Sequence, residues 1–400
     1  MSDRPIISII GKGFGDEGKG FATDHFCRQV PGTLVIKHNG GAQAGHTVEP
    51  EGKRFVFHQL SAGSFCGADT FWADSYYPDL YKLGEEIEEF KTVSGICPKI
   101  FCDHRTSVTF IDDVIINMLL EVSRGDARHG SCGMGINECD LRTGAGFGIL
   151  LEEVIGGSED ELFGKISKIR CDHTGHRLSE LGITAETIAS SEANELFDML
   201  SSTDVLRNWV REAKGNAEKY VAICSDVPGL LRGREQVIFE NGQGLLLDSE
   251  NKEYAPHVTA SRTGLYNPCR ILAECGLELS EAVYVTRSYV TRHGAGPLPY
   301  ECTPSELGIM SEDITNVHNQ WQGSIRYARH GSFEEFVSPV REDLDESGLG
   351  NIPASLFITH LNETDGKLMT ACGDIPVEEF VSERVIGDTF KTFYKSYDRR

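Results

Sequence analysis

The stretch that decides the fold is Ile6–Phe26, IISIIGKGFGDEGKGFATDHF. An apolar run, Ile6 to Ile10, feeds a turn with five glycines between Gly11 and Gly20, and a helical pattern follows. Strand, glycine-rich turn and helix in this order form the unit that cradles phosphate with backbone N–H groups. Gly13 to Gly20 fits G-x4-G-K but ends in Gly20, where a P-loop carries Ser or Thr to hold Mg²⁺. Two carboxylates, Asp16 and Glu17, stand inside the loop instead. A sharp turn needing φ > 0 would explain some of the glycines. Their density, together with Lys19, favours phosphate binding by Gly13, Gly15, Glu17, Gly18, Lys19 and Gly20. If Mg²⁺ is present, Asp16 can replace the missing hydroxyl as an oxygen ligand, or act as a base beside the phosphates.

Further β-branched runs recur at Thr33–Lys37, Lys99–Cys102, Tyr220–Cys224, Glu235–Phe239, Ala282–Arg287 and Ser355–Thr359. Helical stretches separate several of them: Tyr81–Phe90, Ser107–Glu121, Glu192–Lys214 and Arg270–Cys275. Alternating strands and helices predict an α/β fold, a large, mostly parallel central sheet flanked by helices. No Pro/Gly/Ser linker divides the chain, so one domain over 1–400 is expected, with a helical insertion around 154–219.

Composition narrows the function. A net charge of −23 argues against a general binder of nucleic-acid backbones, which needs a basic face, while leaving room for a local basic pocket. No apolar run approaches ~20 residues and no leader pattern stands at the start, so neither a membrane span nor a signal peptide is expected. The 12 cysteines are scattered without C-x-x-C spacing, which suits reduced thiols in the cytoplasm. Cys171, His173 and His176 lack the second ligand pair that a zinc site needs.

Four other stretches carry chemistry. In HNGGAQAGHTV, His38 to Val48, glycines permit close backbone approach, and His46 can give a proton to a leaving oxygen. HGSCGMGINECDLRTGAGFG, from His129, resembles a second anion loop, with Ser131 as a hydroxyl donor and Arg142 close behind. FENGQGLLLD and HVTASRTG place Gln243 and Thr259 where a strand's C-terminal edge lines a crevice, fit for a phosphate or a base edge. Arg287, Arg292, Arg326 and Arg329 concentrate cationic forks in an acidic chain, among glycines, and suit carboxylates or phosphates.

Taken together, G-D-E-G-K-G, G-G-x-x-A-G-H-T, F-H-x-x-x-x-G, G-x-G-x-x-x-D, H-V-T-x-S and R-x-G-A-G-P-x-P occur in the order seen in adenylosuccinate synthetases. The resemblance runs from about residue 6 to about residue 362. It implies the P-loop-NTPase-like fold of that family and a ligase that joins L-aspartate to a 6-oxopurine nucleotide, driven by a nucleoside triphosphate with Mg²⁺. Asp16 would then take the purine N1 proton and ligate Mg²⁺ together with the Gly45 carbonyl. The purine O6 would attack the γ-phosphate, His46 would act as the acid, and Lys19 and the loop amides would hold the triphosphate. Gln43, Ser131, Cys132, Gln243 and Thr259 would meet the monophosphate, and Ser324, Arg326 and Arg329 the amino acid. Arg142 matches the arginine that reaches a partner subunit's site, which implies a homodimer.

The departures direct the remaining expectations. Gln43 stands where the family has Asn, and Ser131-Cys132-Gly133-Met134 where it has Thr-Thr-Gly-Arg. Gly323, Tyr327 and Ala328 replace partners in the loop that grips aspartate, which leaves the amino acid open. Thr359-His360-Leu361-Asn362 replaces Thr-Lys-x-Asp. A carboxylate there accepts from guanine, whereas an amide suits adenine's donor–acceptor edge, so ATP is expected over GTP. Retained Asp16 favours IMP or dIMP over the dGMP used by a viral branch of the family. A non-catalytic nucleotide-binding protein remains the alternative from another class, opposed by Asp16, Lys19 and His46 occurring together.

Overall fold

The computed structural model describes residues 4–125, 131–188, 190–310, 323–348 and 352–397. Its centre is a sheet of nine strands: β1 (Ile6–Gly11), β2 (Thr33–Lys37), β3 (Asp69–Trp72), β4 (Ile100–Asp103), β5 (Val221–Cys224), β6 (Gln236–Gly244), β7 (Glu281–Arg287), β8 (Ala354–Thr359) and β9 (Thr392–Lys395). They lie in the order β9-β8-β7-β1-β6-β2-β3-β4-β5, every neighbouring pair parallel. Parallel neighbours need crossovers, and helices supply them on both faces.

β1 shows why the sequence folds this way. Successive side chains point to opposite faces. Ile6 and Ile10 join Leu34, Phe239, Ile271 and Phe336 on one face, while Ile7 and Ile9 join Ala22, Phe26 and Val35 on the other. Every residue of β1 is buried, so the strand reads as an apolar run interrupted only by Ser8 before it closes on Gly11. Helix α1 (Lys19–Cys27) returns along the second face, its Ala22 and Phe26 inward.

The stretch expected to be helical around 154–219 holds the helices Leu151–Gly156, Glu159–Ile169, Gly175–Glu180, Ser191–Ser201 and Thr203–Tyr220. Helix α2 (Leu80–Ser94) and the helices Leu151–Gly156, Glu159–Ile169 and Thr203–Tyr220 share one core with β3 to β5, while α3 (Ile111–Arg124) packs on Ser191–Ser201 in a second cluster and α4 (Ile136–Arg142) lies against α3. The single helix expected over Glu192–Lys214 is two, broken at Ser202, whose Oγ accepts from Val205 N. The strands β3 and β9 were not foreseen. Beyond the main sheet, Val290–Arg292, Arg326–Ala328 and Glu301–Cys302 form a three-stranded antiparallel sheet beside the glycine-rich loop. Among the described residues no helix is long and apolar enough to cross a membrane.

Candidate active site

The loop between β1 and α1 sits at the carboxyl edge of the sheet, where α/β proteins place ligands. Gly15 and Gly18 have φ of 103° and 97°, and Asp16 adopts φ 58° without being glycine. That conformation is uncommon for a residue with a side chain and marks a constrained site. The Asp16 carboxylate stays partly open to solvent, with Oδ2 3.3 Å from His293 Nε2. Its backbone is fixed by Arg287, whose Nε donates to the Asp16 carbonyl. No side chain caps α1, so its first-turn amides face the loop.

Glu17, expected among the nucleotide-binding residues, is turned into the loop instead. Its Oε1 accepts from Gly13 N at 3.0 Å and Gly15 N at 2.8 Å, and its Oε2 from Lys19 Nζ at 2.9 Å. Burial pushes this carboxyl up, but Lys19 and the loop amide outweigh it and hold Glu17 ionised. Glu17 therefore shapes the loop from within.

His46 opens a short strand, His46–Val48, paired antiparallel with Phe55–Phe57. Its Nδ1 lies 3.0 Å from Glu240 Oε1, and Lys37 Nζ lies 3.6 Å from the other Glu240 oxygen. All three side chains are buried. Burial alone would raise Glu240, but His46 and Lys37 lower it to about 2. Burial lowers His46, against the pull of Glu240, which favours a neutral imidazole with Nδ1 beside the carboxylate. Approach of phosphate charge would raise His46 again. Glu240 was seen only as part of a polar strand end. A lone Glu in the run Val237–Glu240 was the available signal. Packing also explains Gly20: a Cβ there would lie 2.8 Å from His46 Cβ. The P-loop hydroxyl is missing because the histidine occupies its space.

Three other expected regions converge on this centre. At Gly40, φ 67°, a Cβ would lie 2.6 Å from Gln43 Nε2 and 2.9 Å from Gln243 Oε1, so the two amides share one spot. Gln43 Oε1 is buried without a hydrogen-bond partner among the described residues, the state of an acceptor that awaits a ligand. Leu246 N donates to Gly13 O at 3.0 Å, which fixes the segment after Gln243 onto the loop. Thr259 N donates to Leu247 O at 2.8 Å in the same segment. The start of α4 abuts Gly41, where a Cβ would meet Ile136 Cδ1 at 2.5 Å. Just before it, Ser131 Oγ donates to Asn117 Oδ1 at 2.9 Å, and burial raises the Cys132 thiol to about 11. His129 and Gly130 lie outside the described residues. Thr359 Oγ1 donates to Glu17 O at 2.7 Å, which sets the loop carrying exposed Asn362 beside the start of α1.

Two expectations meet a different arrangement. Arg142 does not reach outward: its guanidinium is fully buried, with Nε and Nη2 donating to the two Asp113 oxygens at 2.8 and 2.9 Å. The remaining N–H groups go to the Val108 and Phe147 carbonyls. It locks α4 to α3 within this chain. Arg326 and Arg329 are held by different segments. Arg326 forks onto Glu301, while Arg329 bonds Asp374 and the Thr370 and Glu306 carbonyls. Ser324 is exposed two residues before Arg326.

No group of three or more His, Cys, Asp or Glu is gathered for a metal among the described residues. Mg²⁺ does not need one, because it keeps waters and phosphate oxygens and takes one or two protein oxygens. The part-open Asp16 carboxylate and the exposed Gly45 carbonyl fit that donor set.

An all-parallel α/β sheet, a glycine-rich loop at its carboxyl edge and a buried histidine packed against the helix after that loop define an α/β protein with the architecture of phosphate-binding folds. The adenylosuccinate synthetase family model matches residues 8–334, and the chain belongs to that family. It is 27% identical over 306 residues to the adenylosuccinate synthetase of Talaromyces marneffei and 29% over 305 to that of Aspergillus niger. Each match covers 74% of this chain but 65% of the relative's length. Among solved structures, fully ligated adenylosuccinate synthetase from Plasmodium falciparum aligns with TM-score 0.65 at 19% identity, over 90% of this chain and 77% of that one. Cyanophage S-2L succinoaminodeoxyadenylate synthetase, bound to dGMP and dATP as energy donor, aligns with TM-score 0.61 at 15% identity, over 99% and 93%.

Proposed function

We propose that this protein joins L-aspartate to C6 of IMP or dIMP through a 6-phosphoryl intermediate, at the expense of ATP rather than GTP. The observation that carries the reading is the acid–base pair built onto one loop and its helix. Asp16 stands open on the loop, and His46 is packed on Gly20 and braced by Glu240. A module that only bound nucleotide would have no use for that pair.

The residues divide the work as follows. Asp16 takes the N1 proton of the purine, so that O6 attacks the γ-phosphorus and the bond to the β-phosphate oxygen breaks. Lys19 and the first-turn amides of α1 hold the phosphates. His46, charged once phosphate is beside it, gives a proton through Nε2 while Glu240 keeps Nδ1–H in place. The amine of aspartate then displaces phosphate at C6. Mg²⁺, held by Asp16 and the Gly45 carbonyl, would neutralise phosphate charge when bound. Gln43, Gln243, Ser131, Cys132 and Thr259 would meet the monophosphate. The 12 thiols are all free, in keeping with a cytoplasmic setting.

The preference for ATP rests on Asn362, and the phage neighbour of the same fold uses dATP. Its dGMP also keeps a second substrate in view. Mass spectrometry of the products tests both: the protein with Mg²⁺ and aspartate is given IMP, dIMP, GMP or dGMP, each with ATP or GTP. A succinyl adduct on IMP or dIMP with ATP is expected. An adduct on dGMP alone would transfer the assignment to the second substrate, and silence in every well would overturn the ligase reading.

A further inference from the structure

We propose that Glu301 is a built-in competitor of the amino-acid substrate: its carboxylate occupies the Arg326 guanidinium that a substrate carboxylate takes in turn. The inference rests on the assignment of Arg326 to amino-acid binding.

Strands Glu301–Cys302 and Arg326–Ala328 run antiparallel with Glu301 opposite Ala328. Alternate residues share a face, so Glu301 and Arg326 are diagonal neighbours on one side of the small sheet. Arg326 Nε donates to Glu301 Oε1 at 2.8 Å, and Nη2 donates to Oε2 at 2.5 Å. This is the fork a guanidinium offers to any carboxylate. Its remaining arm, Nη1, donates to the Gly294 and Gly296 carbonyls at 3.2 and 2.9 Å. Those glycines follow His293, which touches Asp16. The fork therefore lies one loop from the expected base, where an amino acid must arrive to attack the purine.

Two properties make the occupant exchangeable. The Arg326 and Glu301 side chains are 28% and 45% exposed, so water and solute reach both, and such pairs are weak. The Nη1 bonds to the glycine carbonyls do not involve Glu301, so the fork stays aimed while its carboxylate changes. Arg326 also holds Glu301 below the usual carboxylate range, so the competitor stays charged at any working pH. Arg329 offers no equivalent fork, since its two amino groups are divided among three segments.

A competitor and a brace predict opposite signs. Removing a brace weakens substrate binding; removing a competitor strengthens it. The test is the Glu301→Gln variant of the full chain, with Mg²⁺, ATP and IMP saturating and L-aspartate varied. KM for aspartate should fall about two- to five-fold, the range a half-exposed pair supports, while KM for IMP should not follow it. Glu301→Thr, which suits a strand, should show the same fall. Calorimetric binding of succinate should tighten by a similar factor in both variants. That binding needs no turnover, so it tests the pair even if aspartate gives no product and the ligase reading fails. Unchanged or weaker succinate binding in both variants would overturn the proposal.

Discussion

Asn362 and Lys12 each turn a single side chain into a measurable consequence. Asn362 is exposed in the 3₁₀ turn Leu361–Glu363, anchored through Thr359 to the glycine-rich loop. An amide offers one donor and one acceptor, and a carboxylate offers acceptors alone. Asn362→Asp should shift kcat/KM from ATP toward GTP by about one to two orders of magnitude, since a mispaired polar contact costs about 1–3 kcal/mol. Steady-state rates with the two triphosphates measure it, and an unchanged ratio would remove Asn362 from base recognition. Lys12 begins the same loop, buried with Nζ on the Phe336 carbonyl and over the Phe336 ring. Burial lowers it to about 8, with Glu17 opposing. An unfolded lysine titrates near ~10.4, so between about 8 and that value the unfolded chain holds more protons. Stability contributed at this site therefore rises with pH across that window, and below it the burial cost is fully present. Lys12→Met should raise stability at pH 7 by roughly 1–2 kcal/mol, less than the full ionisation cost because the carbonyl bond is lost. Urea unfolding of both proteins at pH 7 and 10.5 should show the gap closing at the higher pH.

At the scale of elements, the start of α1 and the strand His46–Val48 are fitted to each other. Gly20→Ser would supply the hydroxyl of an ordinary P-loop, yet its Cβ would lie 2.8 Å from His46 Cβ. Neither atom is the end of a flexible chain, so the histidine must move. Activity should fall on the order of 10²-fold, as small misplacements of a catalytic group do, with triphosphate binding retained. Stopped-flow phosphate release and equilibrium binding separate the two effects; a gain in activity would mean that the space is not shared. The same elements show what sequence can carry. The strands buried largely on both faces, β1, β2 and β6 to β8, were legible because such burial leaves a stretch of mostly apolar, β-branched residues. β3 was not: it has four residues and begins with Asp69, which is paired with Arg234. β9 was missed because Thr392–Lys395 sets two aromatic residues between a threonine and a lysine and has no aliphatic run, unlike the other edge strand, β5. The glycine loops were visible because positive φ at Gly15, Gly18 and Gly40 and close packing at Gly20 and Gly41 demand that residue type. Glu240 and Glu301 were not, since each acts through a partner brought from elsewhere in the chain.

Across the whole molecule, Arg142 tests whether a buried arginine serves packing within its own chain or catalysis in a neighbouring copy. Its side chain lies in the layer that holds α3 and α4, with Asp113 as its counter-charge and Phe110 against the guanidinium. Removing one member of a buried pair leaves the other charge without compensation, at a cost of about 3–5 kcal/mol. Arg142→Ala should therefore unfold at lower urea, and Arg142→Met paired with Asp113→Leu should recover part of the loss because no charge is stranded. The reading in which Arg142 serves a neighbouring copy makes a different demand: mixing Arg142→Ala with an inactive Asp16→Ala protein would restore turnover. The buried fork predicts no restoration, because the arginine is spent inside its own chain. Urea midpoints and the activity of the mixture decide between the two, and restored turnover would require the guanidinium to leave Asp113 and cross to the other copy.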